Sequence, residues 1–212
     1  MRLDNDVTVV GIDVGGDRKG LHAVAVCGDR RIEKFSSTDA DDIAAWCCAQ
    51  GAQVIGIDAP CGWSNDSGSR VAERILNNEG VHCFYTPKLE KAQGHKTNFY
   101  GWVFNGMKIY NALHRDYPLF DGEEIEGRRS FETFPHAISR ALGGPDMTAK
   151  GKREQRRNLL EKARIDVSTL TNMDWVDAAL CALAGEYFIR GEYKKIGNAA
   201  EGFIVVPKRG PR

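Results

Sequence analysis

The sequence predicts an α/β protein: a mixed five-stranded sheet, with three antiparallel strands plus parallel ones, and helices on both faces. Three observations predict it. Two short runs, Val9-Val10-Gly11-Ile12-Asp13 and Val54-Ile55-Gly56-Ile57-Asp58, are continuously apolar up to their last residue, the mark of strands buried on both faces. The stretch between them holds two more strand-like runs and a helix, enough for a crossover connection. A long alanine-rich segment, residues 174–189, reads as a buried helix.

The elements follow in order. Residues 7–13 form the first strand, and Val14-Gly15-Gly16-Asp17 a loop. Residues 21–27 suit a second strand, Gly28-Asp29-Arg30 a turn and residues 31–36 a third strand, giving an antiparallel meander. Residues 39–50 fit a helix capped by Thr38 or Asp39, with Ile43, Trp46 and Cys47 inward and Gly51 as its stop. Residues 53–58 then form a fourth strand, and the helical crossover favours parallel pairing with the first. Residues 59–64 are a loop at the sheet's rim. Residues 68–78 read as a helix capped by Ser67 or Ser69, and residues 80–99 as irregular, basic and aromatic. Val103, Met107, Tyr110 and Leu113 keep helical spacing over residues 102–115. A polar loop over 117–129 leads to a fifth strand, residues 130–134, and a helix from Pro135 through Leu142. Residues 143–158 are glycine-rich and then basic; residues 203–206 make a short last strand. The whole reads as one domain over residues 1–212, with a helical and loop insertion at about 62–129.

Composition narrows the function classes. A chain of 212 residues with 42% hydrophobic and 27% charged residues suffices for one well-filled core. No apolar stretch approaches the roughly 18 residues a membrane span needs, so no membrane partner is expected. The polar start, Met1-Arg2-Leu3-Asp4-Asn5-Asp6, does not resemble a secretory signal. None of the six cysteines forms a C-x-x-C pair, which argues against structural zinc, and with no secretory signal read at the start all six are expected reduced in a cytoplasmic protein. The formal net charge of zero argues against a dedicated basic nucleic-acid binder and leaves room for local patches.

The chemistry-bearing residues are acidic. An aspartate that ends a buried strand sits at the sheet's carboxyl rim. Two such strands side by side, roughly 4.8 Å apart, set Asp13 and Asp58 close enough to repel unless a proton or cation lies between them. One such aspartate is explained equally well as a turn residue; turn chemistry does not require the pattern twice. Asp174 and Asp177 are three apart and share a helix face. Asp174 also suits a helix N-terminus, whereas Asp177 is followed by small residues that let the helix approach the sheet. Glu132, beside Phe131 and Phe134, reads as an inner-rim acid or an outward edge residue. Basic residues form two groups. Lys88, Lys91, His95 and Lys96 lie among Phe84, Tyr85, Phe99, Tyr100 and Trp102, and seven Lys/Arg between Lys150 and Arg164 face two glutamates. Either a phosphate-tracking surface or a solvated helix face explains the second group.

Taken together, Gly11-Ile-Asp-Val-Gly-Gly, Gly56-Ile-Asp-Ala-Pro, Arg70…Glu73, Tyr100-Gly-Trp, Glu132-Thr-Phe-Pro, Asp174-Trp-Val-Asp-Ala-Ala and Glu201-Gly-Phe-Ile-Val-Val-Pro resemble the domain-of-unknown-function-429 (DUF429) family, described as predicted ribonuclease-H-like nucleases. The order of elements matches a ribonuclease-H-like fold. The segment Asp174-Trp-Val-Asp-Ala-Ala-Leu-Cys-Ala resembles the last helix of RuvC-type junction resolvases, where two acids contribute to a metal site. The resemblance implies that fold and a metal-dependent nuclease.

The expectation is therefore a phosphodiester hydrolase using Mg²⁺ or Mn²⁺, which prefer oxygen ligands. Asp13 bridges the metals, Asp58 and Glu132 hold one side and Asp177 with Asp174 the other. Lys19, Arg70 and Lys96 are the expected substrate-binding cations, and DNA or RNA the expected partner. Two rival classes remain: a non-catalytic nucleic-acid or nucleotide binding module, and a phosphotransferase of the actin-like superfamily, whose first phosphate loop Gly-Ile-Asp-Val-Gly-Gly resembles.

Overall fold

A computed structural model describes residues 7–66, 68–123, 127–148 and 150–208. Its sheet has seven strands rather than five: β1 (Val9–Val14), β2 (Leu21–Val26), β3 (Ile32–Ser37), β4 (Val54–Asp58), β5 (Arg129–Glu132), β6 (Tyr193–Asn198) and β7 (Gly202–Pro207). They lie in the order β3-β2-β1-β4-β5-β7-β6. The meander β1–β3 is antiparallel, β4 pairs parallel with β1, and β5 and β7 continue in parallel. The seven helices are α1 (Ala40–Ala49), α2 (Val71–Asn78), α3 (Leu89–Gln93), α4 (Gly101–Leu113), α5 (Pro135–Gly143), α6 (Lys152–Lys162) and α7 (Met173–Ile189) among the described residues.

Beyond the expected count lie β7, read as a short last strand at residues 203–206, and β6, which the sequence did not signal. β6 and β7 are an antiparallel hairpin at the sheet's edge. β6 reads Tyr-Lys-Lys-Ile-Gly-Asn and buries only Ile196. A strand this charged lacks the apolar signature of a strand interior, and lysines on an edge discourage pairing with other chains. One helix goes beyond the sequence expectation, and another takes up its solvated-helix reading. α3 falls in the segment expected to be irregular, and α6 buries only Arg156, Leu159 and Leu160.

Helix starts follow local chemistry. Asp39 caps α1 by accepting from the Asp41 N–H. At α2 the cap is Arg70 rather than a serine: its backbone N–H donates to Glu73 Oε2 at 3.0 Å. Ser69 is buried just before it, and Ser67 lies outside the described residues.

Alternation along β1 and β4 sorts the core into two layers. Val10, Ile12, Ile55 and Ile57 pack with Ile43 and Cys47 of α1 and Ile109 and Leu113 of α4. On the other face Val9 and Val54 pack against α7. Gly11 and Gly56, paired in register, also lie under α7. A Cβ on Gly11 would stand 1.9 Å from the Ala178 carbonyl oxygen, and one on Gly56 2.6 Å from that of Cys181. Helix and sheet therefore approach backbone to backbone, which the run Ala178-Ala179-Leu180-Cys181-Ala182 permits.

Candidate active site at the carboxyl rim of the sheet

Asp13 and Asp58 are direct partners in the parallel β1/β4 ladder. Each is two residues beyond a glycine that touches α7, so alternation turns both carboxylates to the α7 side. Both are half-buried. Among the described residues neither takes part in an ion pair. Burial, then the charges of Asp177 and Asp174, push the Asp13 carboxyl up to about 8. Burial, then the Asp13 charge, pushes Asp58 well above the ordinary carboxylate range. Both shifts favour a proton or a cation at this pair of carboxyl groups.

The acids of α7 complete the group. The close seat of α7 brings Asp177 and Asp174 near Asp13, and both already hold cations. Asp177 accepts from Arg156 Nη1 of α6. Asp174 accepts from Lys19 Nζ at 3.1 Å. Lys19 sits in the β1–β2 loop directly after Asp13, and its pKa is raised by that bond. Four acids from three elements therefore lean toward one place, with one buried arginine and one exposed lysine set against them. As the side chains stand, no three His, Cys, Asp or Glu among the described residues converge closely enough to enclose an ion.

Glu132 has a different neighbourhood from the one expected. It pairs in register with Ile57, one step before Asp58, and so faces the other side of the sheet. There Arg70 grips it with two bonds, Nη1 to Oε2 at 2.7 Å and Nη2 to Oε1 at 2.5 Å, and the Cys61 N–H adds a third at 2.8 Å. Arg70 Nε also bonds Glu73 Oε1 at 2.8 Å, while Glu73 Oε2 accepts from the Thr86 N–H. Arg70, Glu73 and Glu132 are all under 5% exposed. These positions differ from two expectations: Arg70, expected on substrate, forms a buried tie between the start of α2 and β5, and Glu132, expected on metal, has both oxygens committed to that tie. Lys96 is exposed beyond α3 and has no described contact with the acids. A small cavity of about 60 Å³ lies beside this tie, lined by Asp58, Glu132, Arg70, Phe84, Trp102 and Phe134 among others.

Two residues beside the acids escape sequence reasoning. His22 is the antiparallel partner of Asp13 and packs edge-on to Trp175 with ring centroids 4.6 Å apart. Its Nδ1 is buried without a partner among the described residues, and burial lowers its pKa. The short β1–β2 loop fixes this register, so the hairpin itself was the available signal. Arg156 was one cation in a basic run; only the helical pairing of Arg156 with Leu159 and Leu160 distinguishes it as inward-facing.

A family model for a protein of unknown function, DUF429, matches residues 11–201. The chain belongs to the DUF429 family. The match begins at Gly11 and ends at Glu201, so it takes in both strand-end aspartates, the Arg70–Glu132 tie and the α7 acids of this DUF429 chain. Comparison with curated proteins finds no match. All six cysteines of the DUF429 chain are free thiols, and no described helix is long and apolar enough to cross a membrane.

Proposed function

We propose that this protein is a divalent-metal-dependent phosphodiester hydrolase of ribonuclease-H-like fold. The observation that carries the proposal is the Asp13–Asp58 pair: two in-register carboxyl groups on adjacent central strands, without a described cation, their pKa values forced upward by burial and by each other's neighbours. A site of that kind favours a proton or a cation. The donor set is all carboxylate oxygen, which suits Mg²⁺ or Mn²⁺, and Mg²⁺ is commonly held by one or two carboxylates with water and substrate phosphate completing its shell. That coordination does not require the three-residue cage that the side chains lack. Asp13 and Asp58 are the residues that would hold the ion, with Asp177, paired to Arg156, beside them. The ion supplies Lewis acidity and an acidified water. The strand order β3-β2-β1-β4-β5, with an antiparallel meander followed by parallel strands, supports the fold assignment.

The protein's own residues supply the rest. Arg156 and Lys19 are the cations at the rim, positioned by Asp177 and Asp174, and both suit a phosphodiester's non-bridging oxygens. Half-burial of the acids under α7 lowers the local dielectric and strengthens each of these interactions.

The test is a cleavage panel of single-stranded, duplex, branched and hybrid nucleic acids with Mg²⁺ and Mn²⁺, comparing wild type with Asp13→Asn and Asp58→Asn. Both variants are expected to lose more than the about 10–100-fold that removal of a residue supporting a metal ligand costs. Cleavage by Asp13→Asn at the wild-type rate would refute the assignment.

A further inference from the structure

We infer that residues 84–102 form a stacking platform for unpaired bases, so that the substrate of the site proposed above is single-stranded nucleic acid; the substrate assignment rests on that proposed activity. Three large apolar side chains are exposed among the described residues, and two are here: Phe99 at 55% and Tyr85 at 48%. Phe99 belongs to a connected set of rings, and Tyr85 follows one of its members, Phe84, in the chain. Phe99 lies 5.0 Å from Tyr100, 5.5 Å from His95 and 6.0 Å from Phe84, and Phe84 lies 5.1 Å from Trp102.

The platform adjoins the surroundings of the acids at two points. Phe84 and Trp102 line the small cavity that Asp58 also lines. Asn98 Nδ2 donates to Asp17 Oδ2 at 2.7 Å, and Asn105 Nδ2 donates to Asp17 Oδ1 and to the Gly15 carbonyl, both at 3.2 Å. These bonds fasten the aromatic segment to the loop that follows Asp13.

Charge selects the occupant. Lys88, Lys91 and Lys96 are exposed among the rings with Glu90 as the single acid, so the segment carries a net charge of +2 from three lysines less one glutamate. Protein–protein interfaces enrich aromatics but deplete lysine. Exposed rings interleaved with lysines instead fit a polyanion that presents flat apolar faces. In a duplex those faces are stacked on one another, so the matching form is a single strand.

The experiment is fluorescence anisotropy of a labelled single-stranded oligonucleotide against the full chain, in EDTA so that no cleavage intervenes. Wild type is expected to bind the single strand more tightly than its duplex and to weaken with added salt. Phe99→Ala is expected to bind about 5- to 150-fold more weakly, the loss of one stacked base, and Phe99→Trp to restore binding. Phe99 is exposed, so its truncation leaves the core untouched. Wild-type affinity in Phe99→Ala, equal affinity for duplex, or no binding by wild type would each overturn the platform. The two proposals separate cleanly. Binding that depends on Phe99 without any metal-dependent cleavage overturns the hydrolase alone, and cleavage with a neutral Phe99→Ala overturns the platform alone.

Discussion

Burial and the acids of α7 favour the protonated form of the Asp13 carboxyl in the fold. Its pKa stands near 8 in the fold against an ordinary 3.8. A folded-state pKa above the unfolded one contributes stability that is full below about pH 4 and is lost as pH rises through about 8. Asparagine keeps the shape and removes the titration. In a chelating buffer, the unfolding midpoint of Asp13→Asn is expected to match wild type near pH 4 and to exceed it increasingly toward pH 8. A difference that stays flat with pH contradicts the cause assigned to the shift. Arg70 is the opposite case, a buried charge that two buried glutamates require. Arg70→Met leaves Glu73 and Glu132 without their cation and is expected to cost about 3–5 kcal/mol in urea unfolding; a cost below about 1 kcal/mol on the scale of surface ion pairs contradicts the tie. The rim position of Asp13 and Asp58 was legible in the sequence because both close apolar runs on buried strands, and turn chemistry does not require that pattern twice. Arg70 was not, because nothing local to it shows that its partner is 62 residues away.

At the scale of elements, the seat of α7 decides the geometry. Gly11 and Gly56 exist in that register so that Ala178 and Cys181 can lie against bare backbone, and Asp177 follows from it. Gly11→Ala places a methyl where no side chain can move aside, since the contacted atoms are backbone. It is expected to destabilise the fold by at least the upper end of the about 1–3 kcal/mol seen for overpacking, read by thermal unfolding. A loss under about 1 kcal/mol means that the helix sits higher than described. Half of this was legible: the small-residue run on α7 announced close packing, whereas its seat on Gly11 and Gly56 depends on a register between distant segments that no local pattern shows. Glu132 was misplaced for a reason of parity. Phe131 and Glu132 face opposite sides of the sheet, and one residue of register decides which of them joins Asp58. An isolated strand of four residues does not carry that information. β6 was invisible because an edge strand with Lys194 and Lys195 has little hydrophobic pattern to display.

At the scale of the molecule, one topological fact gathers the candidate site. The antiparallel meander and the parallel crossover put β1 and β4 side by side in the middle of the sheet, with both carboxyl ends at one rim. α7 and the β1–β2 loop bring Asp177, Asp174, Lys19 and, through α6, Arg156 to that rim. The central claim is that Asp13 and Asp58 hold a divalent cation. Isothermal titration of the full chain with Mn²⁺ near pH 8, where the Asp13 proton is leaving, tests it most directly. The expected result is saturable binding by wild type that weakens by more than about ten-fold in Asp13→Asn and in Asp58→Asn. Absence of binding by wild type, or binding equally strong in both variants, would contradict it.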